Sequence, residues 1–132
     1  MTDERVERVR RLVEPWATGD FTAAITLLAD DVEMSAYLPE GVTSFVGRER
    51  VIRFMIEFGS QWENYRVEAD EVRPVSDDAV LVAGRQVGAG ASSGLEISEP
   101  VFIVMRLRDD EITGQYWHVD RNKALEAAGL RG

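Results

Sequence analysis

His118 and Asp120 stand two residues apart, a spacing that brings both side chains to one face of an extended strand. A histidine beside a carboxylate can shuttle protons, the imidazole carrying the proton and the acid orienting the ring. Asp120 also precedes a helical stretch and can serve as its N-cap instead. Arg85 shares strand parity with Leu81, Ala83 and Val87, which puts a guanidinium on an apolar face where it needs a counter-charge or a bound anion. It reads either as a clamp for a ligand carboxylate, enolate or carbonyl, or as a structural ion pair with Glu33 or Glu99. Glu99 is in phase with Leu95, Ile97 and Val101 unless Pro100 introduces a bulge that resets its side. Tyr37 can donate to a substrate oxygen or fill a pocket mouth with its hydroxyl in water. Gln115 is in phase with Trp117 and can present a neutral amide to a ligand, whereas Tyr116 and His118 then face the other way.

Other chemistries are excluded by what is missing. There is no cysteine, so disulfides, thiol nucleophiles and thiolate metal sites fall away. One histidine cannot build a multi-histidine centre and no EF-hand spacing occurs, so neither a metal nor any other cofactor is expected. Gly84, Gly88, Gly90 and Gly94 do not form a phosphate loop, because no Lys-Ser/Thr pair follows them. With 24 Asp and Glu against 15 Lys and Arg, the formal charge of −9 repels a nucleic-acid backbone or an anionic membrane. The sequence opens on charged residues and lacks the roughly 18 consecutive apolar residues of a membrane span, so a cytoplasmic protein is expected.

These candidates need elements to hold them. At 132 residues, 45% hydrophobic and 30% charged, the chain suits one globular domain over 1–132. Val6, Val9, Leu12, Val13 and Trp16 recur at helical spacing, with Pro15 in the last turn. A second helix follows Asp20 through Phe21, Ala24, Ile25 and Leu28, and a third begins after Gly47 with Val51, Phe54, Met55, Phe58 and Trp62. Between them lie a short strand near 32–37 and a loop with Pro39 and Gly41. Beyond Trp62 the period becomes twofold, with strands expected near 65–75, 79–88, 95–108 and 111–119, then a short helix over 122–128 ending at Gly129. Helices followed by an antiparallel meander make an α+β fold. The stretch Val101–Leu107 is apolar on both faces, while the three helices cover only one. A symmetric homodimer through the sheet face is the simplest cover, closure of the sheet on itself the other.

The segments Trp16–Phe21, Leu28–Val32, Val46-Gly47-Arg48, Gly84-Arg85, Ser93-Gly94 and Asp120–Leu130 resemble the SnoaL-like branch of the nuclear transport factor 2-like superfamily over nearly the whole chain. The resemblance implies three helices on a curved four-stranded meander, enclosing a cone-shaped pocket whose walls would include Trp16 and Trp117. In the limonene-epoxide hydrolase relatives that pocket holds a tyrosine, an asparagine, an arginine and two aspartates. Tyr37 and Arg85 fall at the first and third of these, but Pro39, Val87 and Trp117 replace the others. Valine and tryptophan neither take a proton from water nor give one to a leaving oxygen, so epoxide opening is not expected. The ketosteroid isomerase base is replaced by the run Ser35-Ala36-Tyr37-Leu38. The polyketide cyclases of the branch close rings through an acid/base carboxylate, a role for which Asp120 is the candidate. The expectation is a protein that binds a small organic molecule, with proton transfer or cyclisation on a carbonyl or polyketide-like compound as its chemistry. The alternative is a noncatalytic ligand-binding or dimerisation domain.

Overall fold

The computed structural model describes residues 4–38 and 41–130. Helix α1, Glu4–Val13, buries Val6, Val9, Leu12 and Val13 along one stripe. Pro15 has no N–H to continue the α-helical ladder, and the chain tightens into a 3-10 turn over Glu14–Thr18. Gly19 closes that turn at φ 83°, and its Cβ-free side lies against the Tyr65 carbonyl, a place a larger residue could not occupy. Helix α2 is shorter than its periodicity predicts, covering Thr22–Thr26 only. The Asp20 carboxylate accepts from the Thr22 N–H at 3.0 Å, which also lowers its pKa.

Strand β1, Leu28–Leu38, begins earlier than the expected 32–37. Its first residue pairs with Ile112 from the far end of the chain, and such long-range pairing overrides the local helical spacing of Leu28. A second strand, β2, Gly41–Val46, occupies part of the expected loop; Pro39 lies outside the described residues. Helix α3, Arg48–Ser60, stops before Trp62, which opens β3 instead. The remaining strands are β3, Trp62–Ser76, β4, Ala79–Gly90, β5, Glu96–Arg108, and β6, Glu111–His118. Helix α4 spans Arg121–Ala127.

Among the described residues the sheet therefore has six strands, β2 being added to the expected strand near 32–37 and the four of the meander, in the order β2-β1-β6-β5-β4-β3. All neighbours are antiparallel except β1 and β6. Register shifts at three places along β3 and β4 coil the sheet, and a Cβ on Gly84 would overlap the Glu68 carbonyl of the neighbouring strand.

Val80, Val82, Val101, Ile103 and Met105 fill the concave face against α1, Trp16 and α3. The opposite face carries Ala79, Leu81, Val104 and Tyr116, which pack on Ala124, Leu125 and Ala128. Helix α4 thus covers part of the outer side of the two-sided stretch Val101–Leu107 within the single chain. Asp120 caps its start by accepting from the Lys123 N–H at 3.0 Å. Arg106 fastens its end, bonding the Ala128 carbonyl at 2.6 Å and both Asp78 oxygens at 2.8 Å.

Candidate functional site

The concave face and helices α2 and α3 enclose a cavity of about 480 Å³. Its wall includes Phe21, Phe54, Phe58, Trp62, Tyr65 and Trp117. These rings form a continuous belt: Phe54 stacks on Phe58, Phe58 meets Tyr65 edge-on at 5.4 Å, and Phe21 stacks on Tyr65 at 5.8 Å. The mouth is bordered by Tyr37, Ile56 and Ile97, all solvent-exposed.

Among the described residues, one carboxylate enters this cavity, that of Glu99. The pairing of Glu99 with Gln86 runs through Pro100 and Arg85 without a register break, so no bulge intervenes and Glu99 keeps the concave parity of Ile97 and Val101. The Gln86 Nε2 donates to Glu99 Oε1 at 2.5 Å, and Tyr65 donates its hydroxyl to Gln86 Oε1 at 2.9 Å. The direction of this chain follows from its charged end. A carboxylate only accepts, so the amide must turn its NH₂ toward Glu99 and its oxygen toward the phenol. Burial, and then the negative charge of Glu99, push the Tyr65 pKa far up, which keeps that hydroxyl a neutral donor. Gln86 and Tyr65 escaped the sequence reading. The usable signal was an amide within an otherwise apolar strand, one residue out of phase with Arg85.

Arg85 is the main correction. It points to the outer side, where its Nε and Nη2 donate to the hydroxyl and carbonyl of exposed Ser98, both at 2.9 Å. It neither enters the cavity nor pairs with Glu33 or Glu99. Strand β4 is buried on both faces over its first half, so parity with Leu81 and Ala83 selected an apolar face, but the one beneath α4 rather than the concave one.

Trp16 is completely buried and stacks on Trp117 at 5.6 Å, so it backs the cavity wall without lining it. Gln115 is likewise fully buried, and its Oε1 accepts from Trp117 Nε1 at 3.0 Å. It orients the tryptophan and presents no amide to the cavity. Tyr37 and His118 meet at the rim, ring centroids 4.4 Å apart, at the ends of β1 and β6. Asp120 and His118 touch through the backbone: the Asp120 N–H donates to His118 Nδ1 at 3.0 Å, while the Asp120 carboxylate is committed to its cap. The imidazole proton therefore sits on Nε2 in the neutral ring. Burial and the nearby Lys123 lower the His118 pKa.

The sequence profile of the SnoaL-like domain matches residues 9–115. The chain belongs to the SnoaL-like domain family. No curated protein matches this SnoaL-like chain. Solved structures share its fold at low identity. One is a protein of Catenulispora acidiphila DSM 44928 with a ketosteroid isomerase-like fold, in complex with trimethylamine. Its TM-score is 0.72 at 22% identity, over 94% of this chain and 93% of that one. Another, from Jannaschia sp. CCS1, carries the description SnoaL-like polyketide cyclase, with a TM-score of 0.72 at 20% identity over 87% and 84%. TerC, co-crystallised with polyporic acid, gives 0.69 at 16% identity over 89% and 91%. Among the described residues of the SnoaL-like chain, no group of three or more His, Asp or Glu could hold a metal ion, and no helix is long and apolar enough to cross a membrane.

Proposed function

We propose that this SnoaL-like protein binds a small, largely apolar organic molecule in its cone and exchanges a proton with it through Glu99. The observation that carries this reading is a carboxylate held by Gln86 inside a ring-lined cavity. With a carbonyl or polyketide-like compound, the Glu99 carboxylate would take the proton from the carbon beside the carbonyl. The C–H bond breaks, an O–H bond forms on Glu99, and the electron pair becomes the enolate. Return of the proton to carbon restores the carboxylate; where the enolate carbon instead attacks a second carbonyl, the new C–C bond closes a ring, the carbonyl electron pair becomes an alkoxide, and Glu99 gives that oxygen its proton. His118 meets the entering molecule at the rim in this scheme, and Asp120 supports it through the cap of α4. The trimethylamine and polyporic acid bound by structural relatives support the cone as a small-molecule site.

A noncatalytic binding domain is the second reading. It is favoured by the lack, among the described lining residues, of another carboxylate to act opposite Glu99. Deuterium exchange at the α-carbon of simple diketones in heavy water, followed by NMR, separates the two. Exchange catalysed by the wild type and abolished by Glu99→Gln supports proton transfer. Diketones that bind without catalysed exchange support the noncatalytic domain. We also propose a cytoplasmic homodimer, supported by the exposed Tyr37, Val42 and Val46 on the outward side of β1 and β2.

A further inference from the structure

The electrostatic composition of the cone limits what it can hold. Among the described residues that line it, Glu99 is the one carboxylate, and the imidazole of His118 at the rim is the one basic group. Arg85, which would have served as a counter-charge, is turned to the other side of the sheet. A carboxylate offers about four lone-pair sites, and among the described residues Glu99 has one side-chain donor, Gln86. In the open cavity water serves the rest. A ligand that displaces this water must replace it: a neutral hydrocarbon would strand a desolvated charge, and an anion would add repulsion to that loss. A cation replaces the water and neutralises the carboxylate together. The belt of Phe21, Phe54, Phe58, Trp62, Tyr65 and Trp117 favours the same charge, since aromatic faces carry negative potential and hold ammonium groups within about 6 Å of the ring centre. The formal charge of −9 also draws cations toward the protein as a whole.

We infer that the ligand of the cone is an organic ammonium, an apolar molecule bearing a protonated or quaternary amine, with Glu99 as its counter-ion and the aromatic belt as its cage. This rests on the proposed reading of the cone as a small-molecule site and names the charge class of what enters. It holds whether or not a proton then moves.

Three matched probes test it: benzyltrimethylammonium, its carbon isostere neopentylbenzene, and the phenylacetate anion. Binding is read by quenching of Trp62 and Trp117 fluorescence and confirmed by NMR line broadening. The ammonium is expected to bind the wild type about tenfold or more tighter than the isostere, with the anion weakest. Glu99→Gln, which can keep a hydrogen bond to Gln86, should bring the ammonium to within about threefold of the isostere, whose own affinity should hold or rise once no charge is desolvated beneath it. Glu99→Asp, which keeps the charge, should restore the preference for the ammonium, guarding against a loss caused by altered packing. Equal affinity for cation and isostere, or a preference for the anion, overturns the inference and leaves the cone as a binding site. A preference unchanged in a folded Glu99→Gln protein overturns it as well. Failure of all three probes to bind overturns the small-molecule reading along with it.

Discussion

Glu99, Gln86 and Tyr65 act as one unit, because each hydrogen bond fixes the direction of the next. Replacing Tyr65 by Phe removes the donor to Gln86 Oε1 and leaves a partly buried amide oxygen unserved. We expect a loss of about 1 kcal/mol in urea unfolding, together with a changed affinity for any ligand that touches Glu99. An unchanged affinity and stability would show that the chain has no energetic role. Arg85→Ala should do neither. Its partner Ser98 is exposed, so stability should change by less than about 0.5 kcal/mol, and titration of the probe cation should give the wild-type affinity within twofold or so. A large loss of affinity would return Arg85 to the site. The contrast shows what strand parity could and could not tell. It put Glu99 in phase with Ile97 and Val101 but left a bulge at Pro100 open, and the unbroken register between β4 and β5 is what turns Glu99 inward. For Arg85 the neighbouring side chains were apolar on both faces, and only the position of α4, set by contacts far along the chain, decides which face is the cavity.

Helix α4 ties the rim of the cone to the outer face of the sheet. Asp120 caps it, so Asp120→Ala should cost about 1 kcal/mol while Asp120→Asn costs a few tenths, as measured by thermal or urea unfolding. Equal losses from both would point to a role for the charge beyond capping. The same junction predicts an acid response. The folded pKa of His118 lies below the ordinary 6.5, through burial first and Lys123 second, so the unfolded chain takes up the proton more readily. The stabilisation is complete above 6.5 and is lost as pH falls through the folded value beneath it. Protonating Nδ1 also removes the acceptor for the Asp120 N–H. The melting temperature should therefore fall between about pH 7 and about pH 5, and His118→Gln should flatten that fall. Asp78 behaves differently. Its burial is outweighed by hydrogen bonds from Ser76 and Arg106, its pKa is lowered, and its contribution is lost only below the ordinary 3.8. The helices and the long strands were legible because their apolar periodicity is local. β2 was not, since Thr43 and Ser44 read as loop until pairing with β1 buries Phe45 against the core.

At the scale of the whole molecule, the two ends of the outer face differ. Helix α4 covers Ala79, Leu81, Val104 and Tyr116 at one end. At the other, Tyr37, Val42 and Val46 are 45%, 62% and 60% exposed on adjacent strands, with Val42 directly opposite Tyr37. Strand β2 is moreover an edge, so its apolar side chains stand beside unpaired backbone groups that invite association. A second copy meeting this patch about a twofold axis would cover both valines at once, because a symmetric contact counts every side chain twice. Stable association needs roughly 800 Å² per partner, more than three side chains supply, so the rest of the outward face of β1 and β2, with Ser35 and Ser44, must join the contact. Sedimentation equilibrium should accordingly give twice the 14.8 kDa chain mass at micromolar concentration. Val42→Lys combined with Val46→Lys should return the single-chain mass with the circular dichroism spectrum unchanged, since both side chains already face solvent in one chain. A wild-type mass of one chain up to roughly 100 μM, well above the affinity range of specific complexes, would rule the dimer out. Tyr37 gives the assembly a consequence for the cone: it stands at the rim against His118, so a partner seated on β1 would narrow the mouth through which a ligand must pass. The double-lysine variant should then exchange the probe cation faster than the wild type, by NMR line shape, at unchanged affinity for the cavity itself.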